Sequence, residues 1–128
     1  MEKKTFTKKD RIRDKLDFDR LKKSGTKFTD GVFLAVILPN DVGFSRLGIA
    51  VPKRVGSAVA RNRMKRLIRE AFRLNRDSLP SSVDLLVIVR KPPDLMTLGE
   101  FSARILSLTG RYVPVKRAEG SAPDGGHT

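Results

Sequence analysis

Seven basic side chains crowd into the seventeen residues Ala60–Arg76: Arg61, Arg63, Lys65, Arg66, Arg69, Arg73 and Arg76, against one acid, Glu70. A planar guanidinium forks onto phosphate oxygens with two hydrogen bonds and stacks on an exposed nucleobase, whereas an ammonium offers only a point charge. Asn62, set among the cations, adds a neutral donor and acceptor able to reach a base edge or a ribose 2′-hydroxyl. The chemistry these residues are suited to is the gripping of a polyanion, not bond cleavage.

Side chains that could break a bond unaided are few. There is no cysteine, and the only histidine, His127, lies near the C-terminus. Thiolate nucleophiles are therefore excluded, as is imidazole acid–base chemistry unless that tail folds back. Metal-dependent phosphodiester cleavage needs carboxylates gathered a few ångströms apart. Asp10, Asp14 and Asp17 could share a helical face, but capping and dipole complementation account for Asp14 and Asp17 without a metal. Asp30, Asp41, Glu70, Asp84 and Asp94 are scattered, with acids near turns or helix ends where solvation is the simpler account. No catalytic residue and no metal ligand is expected in this chain.

The cations need an element to present them. Wound at about 100° per residue, Ala60, Met64, Leu67, Ile68, Ala71 and Phe72 share one stripe, and Asn62, Lys65, Arg66, Arg69, Arg73 and Arg76 gather opposite. The pattern predicts a helix over 57–76 with one face on a core and one cationic face outward. Like charges one turn apart repel, so compensation must come from outside. The whole chain carries 27 Lys and Arg against 14 Asp and Glu, a net +13 that points to a polyanionic partner. A membrane surface fits poorly, because the apolar stripe is needed by the core, tryptophan is absent and no stretch approaches about 20 apolar residues. DNA is not expected either: helix-turn-helix spacing, zinc-finger ligands and a heptad-bearing dimer region are all missing. RNA follows by elimination.

A length of 128 residues suits one domain with tails. Residues 1–12 read as a flexible basic arm, 13–113 as a single RNA-binding domain, and 114–128 as a disordered Gly- and Pro-containing tail. The first helix is expected to begin near Arg13. Asp14 and Asp17 form an acidic variant of the capping box, Phe18 and Leu21 an apolar pair, and Gly25 a terminator. Val32–Leu38 reads as a strand, ended by Pro39, Asn40 and Asp41. In Arg46–Pro52, Leu47, Ile49 and Val51 alternate with Gly48 and Ala50, which leaves one strand face nearly bare. Either a helix packs closely on that face or a ligand cleft opens there. Val83–Val89 reads as a buried strand, stopped by Lys91-Pro92-Pro93. Thr97 and Glu100 then open a last helix through a capping box, with Leu98, Phe101, Ile105, Leu108 and Tyr112 at helical spacing. The N-terminal MEKKTFTKKDRIR lacks a hydrophobic signal core, so a cytoplasmic protein is expected.

The run ARNRMKRLIREAFR, from Ala60 to Arg73, resembles the arginine-asparagine-arginine helix of the bacterial ribonuclease P protein family. The likeness extends in order from about Arg11 to Tyr112, through LDFDRLKKSG, RLGIAVPKRVGSAV and LLVIVRKP. It implies an α+β fold: a ribosomal-protein-like α/β sandwich of about four strands, mixed but mainly antiparallel, packed with three helices. It also implies a left-handed βαβ crossover, against the usual preference. The implied partners are ribonuclease P RNA and precursor tRNA, whose 5′ leader is removed by RNA-based catalysis with Mg2+ held mainly by the RNA partner and substrate. The resemblance assigns RNA contacts to Arg61, Asn62, Arg63, Lys65, Arg66, Arg69 and Arg73, and to Lys53 and Arg54 after the preceding strand. It favours the cleft reading for the bare strand face, with Phe18, Lys22, Val36, Gly48 and Ala50 around the leader. The family often has aromatics where this sequence has Lys22 and Val36, and Pro52 stands where a small polar residue is frequent. Leader binding is therefore expected to lean more on charge than on stacking. A ribosomal-protein-like structural RNA binder without a catalytic role is the alternative.

Overall fold

The computed structural model describes residues 8–12, 14–93 and 96–113. Helix α1 (Lys15–Ser24) begins where the Asp14 carboxylate accepts the Leu16 amide at 3.2 Å. Asp17 turns instead to Arg20 at 3.3 Å and Arg46 at 3.6 Å, so the expected acidic capping box is replaced by ion pairs. Gly25 ends the helix because the chain passes too close to Val36 and the Leu21 carbonyl for any β-carbon. Strand β1 (Thr26–Thr29) follows, an element the sequence reading left out.

A tight turn leads into β2 (Phe33–Pro39), with Gly31 at φ 94°. The Asp30 carboxylate accepts the Val32 and Phe33 amides, both at 2.9 Å, and Arg104 at 2.9 Å. Partial desolvation raises its pKa, but these donors outweigh that and hold it below 3.8. A depressed carboxylate stabilises the fold in full above its unfolded pKa, and the contribution fades as pH falls through the folded value. Asp30→Ala is thus expected to lose about 1–2 kcal/mol at neutral pH, and the gap to the unmodified protein should shrink in urea titrations at acid pH. A gap independent of pH would remove the carboxylate from that account.

Strand β3 (Arg46–Ala50), helix α2 (Ala58–Leu74), strand β4 (Val83–Val89) and helix α3 (Leu98–Thr109) complete the order. The four strands lie β1-β2-β4-β3, with β3 parallel to β4 and the other pairs antiparallel. Ser57 caps α2 and Thr97 with Glu100 forms the expected capping box of α3. One sheet face carries the main core, where Phe33, Ala35 and Ile37 of β2 meet Met64, Ile68 and Phe72 of α2 and Phe101, Ile105 and Leu108 of α3. The other face is covered by α1, whose Leu21 packs with Val36 and Leu86 of the sheet and with Ile12.

Two polar groups lie inside this frame. Asp84 is fully buried on β4 and takes Arg46 bidentately, at 2.8 Å to each oxygen, with the Asn40 amide at 2.9 Å. Solvation does not explain it, contrary to the expectation for scattered acids. Asp10 is 3% exposed and pairs with Arg76 at 3.2 Å. Around it, Lys8–Asp10 forms a single 3₁₀ turn, Arg11 bridges in parallel to Leu47, and the Ile12 amide donates to the Leu47 carbonyl at 3.0 Å. Within the basic arm expected over 1–12, residues 8–12 are held in place: Ile12 anchors on the β3 edge and the Asp10–Arg76 pair joins the segment to the turn after α2. Residues 1–7 and the tail expected over 114–128 lie outside the described residues, as does Asp94.

Candidate RNA interface

Helix α2 crosses from β3 to β4 and turns its apolar stripe to the core, with Met64, Ile68, Ala71 and Phe72 buried. That packing forces the opposite stripe into solvent. Asn62 and Arg66 are exposed, and Lys65 and Arg69 are half-buried. No side-chain hydrogen bond or ion pair with another described residue engages these four. Burial and the neighbouring charges of Arg11 and Arg66 lower the pKa of Arg69, so the face carries uncompensated repulsion. The other predicted cations are partly committed. Arg61 donates to the Gly56 carbonyl and Arg63 to that of Met96, each at 3.2 Å. Arg73 forks onto Glu70 at 2.7 and 3.2 Å, which offsets its charge locally.

Beside Lys65 and Arg69 the free edge of β3 and helix α1 enclose a cleft of ≈ 220 Å³, lined also by Arg11, Phe18 and Gly48. The bare strand face answers both readings at once. The Phe18 ring packs onto Gly48, where a β-carbon would come within 2.9 Å of it, and the remaining space forms the cleft. Gly48→Ala should therefore push the ring out of its seat at a cost of about 1–3 kcal/mol. Urea denaturation checks the cost, and a change below 0.5 kcal/mol, about what a surface substitution gives, would mean the ring is not fixed by that contact.

The remaining predicted residues fall differently. Val36 is 0% exposed beneath α1, so it supports the cleft from below and touches nothing bound there, which corrects its assignment as a lining residue. Lys22 is exposed on the last turn of α1, and Ala50 is half-buried at the end of β3; neither lines the cleft beside Phe18. Lys53 and Arg54 sit in the short turn after β3, and Arg54 donates to the Arg90 carbonyl at 2.8 Å. Arg54 thereby joins Arg90 and Lys91 around a second basic recess. Arg11, Arg90 and Lys91 were missed by sequence reasoning. The first was assigned to the arm, Lys91 to a strand terminator and Arg90 to no role, and only the tertiary fold brings them to these recesses.

A mixed four-stranded sheet with a basic crossover helix beside a cleft bearing Phe18 defines an α+β protein with a cationic face suited to a polyanion. The sequence model described as Ribonuclease P matches residues 6–113. The chain is 42% identical over 87 residues to the ribonuclease P protein component of Desulforapulum autotrophicum, covering 68% of this chain and 74% of that one. It is 38% identical over 87 residues to that of Thermotoga maritima, with the same coverage. Among solved structures, the RNase P protein from Thermotoga maritima superposes with a TM-score of 0.74 at 31% identity, covering 81% of this chain and 98% of that one. The Staphylococcus aureus RNase P protein gives 0.72 at 32% identity, covering 80% and 94%. The chain belongs to the ribonuclease P protein family.

Proposed function

We propose that this subunit binds the ribonuclease P RNA through the cationic face of α2 and the 5′ leader of precursor tRNA through the cleft beside Phe18. The bond-breaking step, on this reading, belongs to the RNA. The observation that carries it is the row Asn62, Lys65, Arg66 and Arg69, which has no protein partner among the described residues and borders the same cleft as Phe18. Such a row neutralises phosphate repulsion between two RNAs and holds the substrate away from the scissile bond. The donor set does not suit a protein-held Mg2+. Among the described residues no group of three or more His, Asp or Glu gathers at metal-binding distance. Asp84, Asp10 and Asp30 are engaged by arginines. On this reading Mg2+ is held by the RNA and substrate. Among the described residues no helix is long and apolar enough to cross a membrane, and the proposed partners are cytoplasmic RNAs.

The test is cleavage of a 5′-extended precursor tRNA at low magnesium by a bacterial ribonuclease P RNA, with and without this protein, and by the protein alone. Stimulation only with both present is expected. Cleavage by the protein alone would overturn the division of labour, and binding without stimulation would favour a purely structural RNA-binding role.

A further inference from the structure

We propose that Arg11 is a further RNA-binding residue, joining Lys65 and Arg69 around one seat for a backbone phosphate of single-stranded RNA, and that the buried Asp10–Arg76 pair positions it. The proposal rests on the reading of this chain as an RNA-binding subunit. Three cations from two separate segments line the cleft: Arg11 from the N-terminal segment, Lys65 and Arg69 from α2. They stand close enough for Arg11 to lower the proton affinity of Arg69, so an anion between them relieves repulsion already present. The Phe18 ring beside them offers a stacking surface for an unpaired base, a face that the stacked bases of a duplex do not present.

Several contacts of the N-terminal segment bear on where Arg11 points. Its backbone pairs with Leu47 on the free edge of β3, Ile12 is buried under α1, and one residue earlier Asp10 is locked onto Arg76 just beyond α2. The ion pair thus ties the segment that carries Arg11 to the chain that carries Arg69. Arg11 also borders Asp14 and Asp17 on its other side, so its position between carboxylates and cleft depends on that tie.

The experiment measures binding of a labelled single-stranded oligoribonucleotide to the full chain over a salt series. Arg11→Ala should flatten the slope of log K against log salt by about 0.7, roughly a fivefold loss near 0.1 M salt. Arg69→Ala should do the same, and the double variant should lose no more slope than either single, because both side chains hold one phosphate. Lys23→Ala, which removes an exposed charge on the far side of α1, should leave the slope unchanged. Asp10→Asn should match Arg11→Ala in the otherwise unmodified chain and add nothing in the Arg11→Ala background. Arg11→Ala trims an exposed side chain and leaves both members of the buried pair in place. An unchanged slope for Arg11→Ala, additive slopes in the double variant, or absence of saturable binding would overturn the proposal. The function itself is judged separately by precursor cleavage. A further loss from Asp10→Asn in the Arg11→Ala background would overturn the positioning role.

Discussion

Asp84→Ala is expected to destabilise the fold by about 3 kcal/mol, because it opens a buried void, leaves the Asn40 amide without that acceptor and leaves Arg46 only its longer contact to Asp17. Asp84 is 0% exposed and its two oxygens take both forks of Arg46, while Asn40 donates to the same carboxylate. The partnership holds the pKa of Arg46 above its usual value, chiefly through that hydrogen bond, and a guanidinium does not shed its proton even when the partner is lost. Against a typical total of 5–15 kcal/mol, the change removes a large part of the margin. A drop in melting temperature of more than about 10 °C follows for a domain of this size. Replacing both partners by apolar side chains, Arg46→Met with Asp84→Leu, should recover most of the loss, since a buried pair is costly to break and often dispensable whole. Urea denaturation of the three variants decides the matter, and a cost below 1 kcal/mol for Asp84→Ala would mean that water or relaxation satisfies Arg46. The double replacement has a second consequence. Arg46 also reaches Asp17 at 3.6 Å, one residue before Phe18, so it tethers α1 over the cleft. The double variant should be stable and yet bind leader more weakly.

This network also marks where the sequence stops being informative. The β-branched run Val83–Val89 declares a strand at both ends, and the 3.6-residue period of Ala58–Leu74 separates core face from cationic face correctly. Local pattern suffices there because burial and charge follow the element's own period. The pairing of Asp84 with Arg46 spans 38 positions and leaves no local trace. Strand β1 carries one apolar residue, Phe28, in TKFT and lies at a sheet edge, so alternation cannot reveal it. In β2 the apolar run is continuous, and which residues face α1 depends on where that helix lies. Val36 proved to be under α1, and Phe33, Ala35 and Ile37 on the opposite core. For the interface, the α2 cations were legible as a charge stripe. Arg11 was not, because its position depends on the buried contacts of its neighbours Asp10 and Ile12.

Removing the free row of α2 is expected to give the largest functional change. In the triple variant Lys65→Ala, Arg66→Ala and Arg69→Ala, with Lys65 and Arg69 counting as one contact, the slope of log K against log salt for ribonuclease P RNA should fall by about 1.5 to 2, and affinity near 0.1 M salt by roughly 30- to 100-fold. Stability should move the other way or not at all. These side chains have no partner among the described residues, alanine is the better helix former, and like-charge repulsion around Arg69 is relieved. That opposition of signs distinguishes a binding face from a structural one. Arg61→Ala and Arg63→Ala serve as the contrast, because their guanidinium groups also close the carbonyls of Gly56 and Met96. Each should lower both affinity and stability, the latter by about 1 kcal/mol. If the triple variant lost stability while keeping its salt slope, the cationic stripe would be a solvated face of the fold and the RNA contacts would have to be sought around Arg54, Arg90 and Lys91.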